Sequence, residues 1–359
     1  MDKAISVIIP TYNESDNVTP LVERLHSVLS SYNYEIVFVD DDSSDGTAER
    51  ARALSGKYPI KLIVRKDEKG LASAVVRGIK QSSGKTILVM DADLQHPPEV
   101  IPDLLKATEN GADIAIASRY IAGGSCQGWT LTRRIISKGG VFLARLLLPS
   151  LRKISDPMSG FFVLKRDVVA NANLNPTGFK ILLEVLIKGQ FSRVAEVPYT
   201  FKLRQGGKSK LNTRQQIEYL KHLYSLMRQK GELLRFGKFC LVGFSGVFVN
   251  MGLLWILTEF AGLFYLLSSA ISIEVSIISN FTLNDYFTFT DRRLPGAKSF
   301  GRRLLKFNIV SLAGLGINMG ILALLTEGLG LYYLLSNIIG IIVATLWNYF
   351  VNSWWTWNR

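Results

Sequence analysis

The N-terminal part of the chain is organised around KTILVMDADLQ, residues 85–95. The apolar run Thr86 to Met90 is typical of a buried central strand in a parallel sheet. Asp91 and Asp93 follow at its carboxyl end, the edge where open α/β sheets bind ligands. Two carboxylates with one spacer, and an amide oxygen at Gln95, suit a hard divalent cation that also keeps sites for water and substrate phosphates. An isolated Asp-x-Asp is equally compatible with a polar turn, so the neighbouring segments must distinguish the two.

The composition indicates a membrane rather than nucleic acid as the partner. The 359 residues suggest two or three domains, and a formal charge of +13 accompanies 48% hydrophobic residues and a mean hydropathy of +0.20. Such a chain is expected to face anionic headgroups or phosphate substrates. Cys126 and Cys240 form no metal-type pair, so we expect neither a disulfide framework nor a zinc site. The N-terminus lacks a signal-peptide pattern, so we expect the first domain to be cytoplasmic.

Strands and helices are predicted to alternate over about the first 120 residues, which favours a doubly wound, mostly parallel α/β domain. Short apolar runs predict strands at residues 5–10, 35–39, 61–64, 86–90 and 113–119. The first two strands lead into loops that hold Tyr12, Glu14 and the acidic run Asp40 to Asp45. Clustered carboxylates repel one another unless a cation or donors offset the charge. These could accept hydrogen bonds from a base and a ribose, or they could form a solvated acidic turn.

Together these motifs resemble glycosyltransferase family 2, which has the GT-A fold. The resemblance rests on IIPTYNE at residues 8–14, VDDDSSDGT at 39–47 and DAD at 91–93. The longer motifs DADLQHPP at 91–98 and SDPMSGFF at 155–162 narrow it to the dolichol- and polyprenyl-phosphate sugar synthases. It covers about residues 4–230. The segment KLRQGG at 202–207 stands where processive members carry Gln-x-x-Arg-Trp, which counts against polysaccharide synthesis.

The resemblance implies a set of site residues, with Mg²⁺ or Mn²⁺ as the metal. The nucleoside would be held by Pro10, Tyr12, Glu14, Val39 and Asp41, and the metal and diphosphate by Asp91, Ala92, Asp93 and Gln95. The loop from Arg204 to Lys210 is basic, and we expect Arg204 and Lys210 to cover the diphosphate. A plain exposed loop is the alternative for the same sequence. Glu184 lies near where many relatives carry a catalytic base.

Two basic, apolar stretches have helical spacing, at Trp129 to Lys153 and at Thr213 to Lys230. This composition suits helices that lie in the membrane interface, and a core helix with one solvated face is the alternative. We therefore divide the chain into a GT-A domain at 1–210 (including the first interfacial helix, about 129–153), an interfacial helix and linker at 211–234, and a membrane domain at 235–359.

The membrane half repeats itself at an offset of 68 residues. Arg235 matches Arg303, and the motifs Asn250 to Gly252 and Tyr265 to Ser268 recur at Asn318 to Gly320 and Tyr333 to Ser336. Each repeat holds two apolar stretches long enough to cross a bilayer. We predict an all-α domain of four spans, at about 237–258, 264–288, 306–327 and 331–352. This half resembles the GtrA-like membrane domain, which is linked to lipid-linked sugars.

The distribution of charge predicts the orientation. The loop from Asp291 to Lys306 carries six Lys and Arg residues, whereas the loops near 260 and 329 carry none. Because basic loops stay cytoplasmic, we expect both termini and this loop on the cytoplasmic side. Asn250, Asn280, Asn318 and Asn348 would be costly in the spans without partners, and they suit helix packing better than a transport path.

The predicted reaction is inverting transfer of mannose from GDP-mannose to dolichyl or another polyprenyl phosphate, which the resemblance implies gives a β-linked product. Asp91, Asp93, Arg119 and Arg133 form the predicted catalytic set. The acceptor phosphate is expected at Arg119 and Arg133, with Ser137 one helical turn further on. UDP-glucose as donor is an alternative, and so is a lipid-linked sugar flippase with a regulatory front domain. No nucleic-acid partner is expected, and the sequence names no protein partner.

Overall fold

The computed structural model describes residues 4–175, 178–202 and 213–357. The chain divides into two units, Met1–Lys230 and Gly231–Arg359. The strands of the first unit are β1 Ile5–Thr11, β2 Tyr34–Asp40, β3 Ile60–Val64, β4 Thr86–Val89, β5 Ile114–Ser118, β6 Ser125–Cys126, β7 Phe162–Lys165, β8 Val194–Pro198 and β9 Thr200–Phe201. Its helices are α1 Ser15–Leu29, α2 Thr47–Leu54, α3 Leu71–Gln81, α4 Ile101–Glu109, α5 Leu131–Leu147, α6 Asp167–Ala170, α7 Ile181–Lys188 and α8 Thr213–Gln229.

Seven strands form one mixed sheet in the order β3-β2-β1-β4-β7-β5-β8. All neighbours are parallel except β7, which runs antiparallel between β4 and β5. The predicted GT-A-like α/β fold with a mostly parallel sheet is therefore confirmed. Helices cover both faces, because alternate residues of the buried strands enter two separate cores: Val37 lies in one, and Ile36 and Phe38 lie in the other.

Strand β7 was not predicted, and it matters for the site. Its reversed direction brings the preceding loop, residues 155–161, to the same edge at which the parallel strands β1, β2, β4 and β5 end. The motif SDPMSGFF at 155–162, which supports the resemblance to polyprenyl-phosphate sugar synthases, is thereby placed beside Asp91.

The second unit is all-α. Its helices are α9 Glu232–Glu259, α10 Tyr265–Leu283, α11 Ala297–Ala323 and α12 Tyr333–Val351, and the last three continue into π-helical turns. With these turns, four helices in the described part of the chain are long and apolar enough to cross a membrane. The predicted four apolar helices are therefore confirmed. The second helix matches its predicted span to within one residue, whereas α11 begins nine residues early, at Ala297, and the last helix ends four residues late, at Thr356.

The sequence repeat is also visible in the packing of this unit. Its aromatic core consists of three pairs whose members are 68 residues apart, Phe239 with Phe307, Phe281 with Tyr349, and Phe289 with Trp357. Two glycines repeat in the same way. Gly246 lies against the side chain of Asn280, and Gly314 lies against that of Asn348, so closely that a Cβ would overlap the amide. These contacts support the helix-packing role of the asparagines.

Candidate active site at the carboxyl edge of the sheet

A cavity of about 820 Å³ opens at the carboxyl edge of the sheet. Its lining includes seven of the nine predicted nucleoside, metal and diphosphate residues, namely Pro10, Tyr12, Glu14, Asp41, Asp91, Ala92 and Asp93. They come from the ends of β1, β2 and β4, which are neighbours in the sheet. Gly178 and Phe179 line the cavity as well. The structure thus brings most of the predicted donor residues together.

Three of the loops at this edge contain a non-glycine residue in the left-handed region. Asn13 follows β1, Asp42 follows β2 and Leu94 follows β4, with φ of 56°, 57° and 58°. Such conformations are costly for residues with a side chain and persist where surrounding contacts enforce them, commonly at functional sites. Each one turns the chain sharply after its strand, which keeps the following polar residues at the sheet edge.

The first two loops hold each other in place. The amide of Asn13 donates to Oγ of Ser43 at 2.9 Å, and the amide of Ser44 donates back to Oδ1 of Asn13 at 3.1 Å. The amide of Ser15 donates to Oδ2 of Asp45 at 3.0 Å. The acidic run is therefore a hydrogen-bonded wall rather than a solvated turn, since its side chains accept bonds from the loop opposite.

Asp41 is buried in the cavity wall and has partners that the sequence did not reveal. Arg65 donates to its Oδ1 from Nε at 2.8 Å and from Nη2, and the amide of Gly70 donates to Oδ2 at 2.7 Å. Arg65 is buried too, and it also donates to Ser73. Its guanidinium fixes the carboxylate of Asp41 in one orientation. Arg65 lies just after β3 in a polar segment without periodicity, so nothing local marked it.

Asp91 and Asp93 form the acidic pair of the cavity. The side chain of Asp91 is about one third exposed (34%), and Oδ1 of Asp93 accepts a bond from the amide of Gln95 at 3.2 Å. The side-chain amide of Gln95 donates to the carbonyl oxygen of Lys202 at 2.9 Å, and Gln95 is not among the cavity residues. No group of three or more His, Cys, Asp or Glu within the described ranges is placed to hold a metal. Two carboxylates fit a cation such as Mg²⁺, which takes few protein ligands and completes its shell with water and phosphate oxygens.

His96 is a neutral support for Asp91. Its Nδ1 accepts the amide proton of Asp91 at 3.0 Å, so that nitrogen carries no proton. Burial lowers the pKa of His96 to about 4, although Asp93 acts in the opposite direction. The 3.7 Å separation between Nδ1 and Oδ2 of Asp91 is therefore a contact and not an ion pair.

Arg119 is held by Asp156. Nε and Nη2 of Arg119 donate to the two carboxylate oxygens at 2.7 and 2.8 Å, and its amide adds a third bond at 3.1 Å. Asp156 is fully buried and Arg119 is 8% exposed. The sequence predicted that Arg119 would bind the acceptor phosphate. In the structure two of its guanidinium nitrogens bind Asp156, and Arg119 is not among the cavity residues, so its role in acceptor binding stays a prediction.

Arg133 lies at the start of α5, and its guanidinium carbon is 4.4 Å from the ring centroid of Trp129. Arg119 stacks on the same ring at 5.6 Å. Burial lowers the pKa of Arg133, and both Arg119 and Asp93 are close enough to affect it. Arg133 is thus close enough to Asp93 for their charges to interact, although neither Arg133 nor Ser137 lines the cavity. Oγ of Ser137 is 2.7 Å from the hydroxyl of Tyr120.

Other predicted residues lie elsewhere. The side chain of Val39 is buried in the core, so it does not line the cavity. Glu184 is buried and receives bonds from His222, Lys188 and the amide of Asn175, so it is not placed as a catalytic base. Arg204 and Lys210, with the loop between them, lie outside the described residues.

Comparison with known proteins agrees with this geometry. The family model for glycosyl transferase family 2 matches residues 6–171, and the model for the GtrA/DPMS transmembrane domain matches residues 238–357. A dolichol-phosphate mannosyltransferase of Pyrococcus furiosus is 49% identical over 353 residues, which cover 98% of this chain and 99% of that protein. The chain belongs to the dolichol-phosphate mannosyltransferase branch of glycosyltransferase family 2. Because residues 238–357 match a transmembrane domain, it is a multi-pass membrane protein.

Two further matches cover about two thirds of the chain. A dolichol-phosphate mannosyltransferase of Mycosarcoma maydis is 44% identical over 235 residues, which cover 62% of this chain and 79% of that protein. Among solved structures, a mannosyl-3-phosphoglycerate synthase from Rubrobacter xylanophilus matches with a TM-score of 0.51 and 21% identity, over 64% of this chain and 75% of its own. That similarity shows the fold of the first unit. The predicted family, with its glycosyltransferase and membrane domains, is confirmed.

Proposed function

We propose that the chain transfers mannose from GDP-mannose to dolichyl phosphate or another polyprenyl phosphate, with inversion, at the cytoplasmic face of the membrane. The observation that carries the proposal is the pair Asp91 and Asp93 in a cavity of about 820 Å³ at the carboxyl edge of the sheet. The name of the full-length Pyrococcus furiosus relative supports mannose and dolichyl phosphate as substrates.

The nucleoside half of the donor would bind at the ends of β1 and β2. Tyr12 presents an exposed ring there, and the ammonium of Lys69 lies 5.2 Å from its centroid. Asp41 is held in a fixed orientation by Arg65 and Gly70, so it can accept bonds from a base or ribose without reorganising. Pro10 and Glu14 complete this wall. Val39 would contribute through its main chain.

The diphosphate would lie over Ala92 and the acidic pair. Mg²⁺ or Mn²⁺ would be held by Asp91 and Asp93, with the side-chain amide oxygen of Gln95 as a further ligand. When bound, the metal supplies positive charge to the departing nucleoside diphosphate. In our proposal Arg204 and Lys210 cover the same group.

The acceptor requires no general base, because an oxygen of its phosphate is already anionic at neutral pH. This agrees with Glu184, whose oxygens are occupied by His222, Lys188 and Asn175. The acceptor does require cations that offset its charge and direct it toward the donor carbon. Arg133 is suited to this role, and Arg119 supports it through the shared Trp129. Direct attack inverts the anomeric centre.

The lipid would reach this site along the membrane surface. Helix α5 exposes Leu131 (74%) and Phe142 (66%) beside basic residues, and α8 exposes Leu220 and Tyr224. We propose that both helices lie in the membrane interface, with their apolar side chains among the lipid chains. The four spans anchor the enzyme, and both termini and the 291–306 loop face the cytoplasm.

A two-donor assay tests the proposal. Purified full-length protein in detergent would receive dolichyl phosphate, Mg²⁺ or Mn²⁺, and labelled GDP-mannose or UDP-glucose. We expect a lipid-linked mannose that is stable to base and labile to acid, as a glycosyl phosphodiester should be. A glucose product in place of mannose would overturn the donor assignment. Binding of lipid-linked sugar without any transfer would favour the flippase.

A further inference from the structure

Lys180 lies beside the cavity without lining it, and the proposed function has not used its charge. It directly precedes α7 and directly follows Gly178 and Phe179, both of which line the cavity. Its ammonium donates to the carbonyl oxygen of Met158 at 3.2 Å and lies 4.6 Å from the ring centroid of Phe179. Within the described ranges, no carboxylate forms an ion pair with it.

The charged residues near Lys180 belong to both the proposed donor site and the proposed acceptor site. Burial, together with the nearby charges of Arg119 and Arg133, lowers the pKa of Lys180 to about 8, although Asp156 and Asp91 act to raise it. Asp156 already pairs with Arg119 through two bonds. Asp91 belongs to the proposed metal site. The positive charges of Lys180 and Arg133 are therefore left without a dedicated protein anion.

Two buried donors in the same neighbourhood also have no partner. Nε of Arg133 and the indole Nε1 of Trp129 are buried, and neither forms a hydrogen bond within the part of the chain that the structure describes. Buried donors are usually hydrogen-bonded. Two such donors without a partner, next to cations without a protein anion, therefore indicate that an acceptor group binds here. A phosphate supplies three acceptor oxygens and a charge of about −1.5 to −2 near neutral pH.

We propose that Lys180 and Arg133 together bind the phosphate of the acceptor lipid. Lys180 supplies the second cation, on the side nearer Asp91, and Arg119 positions Trp129 and Arg133 rather than taking the phosphate itself. One arginine alone would leave much of the acceptor's charge uncompensated as it approaches an anionic donor. The inference rests on the proposed function, because it assigns a residue to that reaction's acceptor.

The test compares Lys180→Met, Lys180→Arg and the control Lys80→Met in the full-length protein. Lys80 is an exposed lysine near the carboxyl end of α3. Steady-state transfer to a short-chain isoprenyl phosphate gives the acceptor KM and kcat, and calorimetry gives the affinity for GDP-mannose. We expect Lys180→Met to raise the acceptor KM about tenfold or more, because a charge-assisted bond is lost. Donor affinity should stay within about twofold, Lys180→Arg should restore part of the loss, and Lys80→Met should match wild type.

Two results would overturn the inference. One is an unchanged acceptor KM in Lys180→Met, and the other is a loss of donor affinity with no change in acceptor KM, which would move Lys180 to the donor site. Thermal unfolding and donor affinity report whether each variant folds, and Lys180→Arg keeps the test decisive if Lys180→Met does not. Failure of the proposed function gives a different result, since wild type would then make no lipid-linked mannose.

Discussion

Gly160 lies against the carboxylate of Asp91. A Cβ at this position would stand 3.3 Å from Oδ2 of Asp91 and 3.2 Å from Cε1 of His96. The loop that carries Gly160 reaches the site because β7 runs antiparallel next to β4. Only a residue without a side chain leaves Asp91 and its supporting imidazole in their present positions.

We therefore expect Gly160→Ala to weaken metal-dependent donor binding. The added methyl must displace the carboxylate or the imidazole by a few tenths of an ångström, and small misplacements of a metal ligand are costly. Calorimetric affinity for GDP-mannose with Mg²⁺ should fall about fivefold to tenfold. Gly56→Ala is the matched control, since a Cβ there meets nothing within 4 Å. Equal donor affinities in the two variants would show that Gly160 does not set the position of Asp91.

A second prediction concerns acid stability. Burial acts to raise the pKa of Glu184, but bonds from His222, Lys188 and the amide of Asn175 outweigh it and lower the pKa to about 2. The ordinary value is 4.5. A carboxylate with a lowered folded-state pKa stabilises the fold above its unfolded pKa and loses that contribution as pH falls. We expect the window to run from about pH 4.5 to 2 and to be worth about 3 kcal/mol.

Glu184→Gln tests this expectation by denaturant unfolding of the wild type and the variant across that window. The variant should be less stable at pH 7, and the difference should shrink toward pH 2. Glu109→Gln, at the exposed carboxyl end of α4, is the control and should follow wild type. A difference that is independent of pH would show that the hydrogen bonds of Glu184 do not depend on its charge.

A third prediction uses the internal repeat. Gly246→Ala and Gly314→Ala should destabilise the membrane unit to similar extents, because each Cβ would overlap an asparagine amide on the neighbouring helix. Overpacking of this kind costs about 1–3 kcal/mol. Thermal unfolding in detergent measures it, and Gly243→Ala on the same helix as Gly246 is the control because its Cβ meets nothing. If Gly243→Ala is as harmful as Gly246→Ala, the effect belongs to helix flexibility rather than to the asparagine contact.

A fourth prediction concerns topology. Lys298 belongs to the basic segment 291–306 and lies in the first turn of α11. A cysteine introduced at this position should react with a membrane-impermeant maleimide only after the cells are opened. A cysteine at Ala261, in the short loop between α9 and α10, should react in intact cells. Both positions are exposed, so accessibility within the protein does not separate them. The opposite pattern would invert the orientation and remove the cytoplasmic donor site.

Local patterns in the sequence predicted most of the fold. Apolar runs marked β1 to β5, and the offset of 68 residues marked both helical hairpins, because each signal repeats within a short window. The antiparallel β7 was missed, since a strand of only four residues does not reveal which way it runs or which neighbours it takes. The pairing of Arg119 with Asp156 and that of Arg65 with Asp41 were missed for a related reason. They join residues 37 and 24 positions apart that only the folded sheet brings together.

The central claim is tested most directly by product formation in an Asp93 variant. Labelled GDP-mannose, dolichyl phosphate and Mg²⁺, with and without a chelator, would be supplied to purified wild type, to Asp93→Ala and to a control, Asp103→Ala. Asp103 is an exposed residue of α4. We predict that wild type and Asp103→Ala form lipid-linked mannose and that the chelator abolishes this product. Asp93→Ala should form less than about 1% of the wild-type product, since removal of a metal ligand typically costs several orders of magnitude in rate. Wild-type turnover by Asp93→Ala in the presence of the chelator would contradict the account.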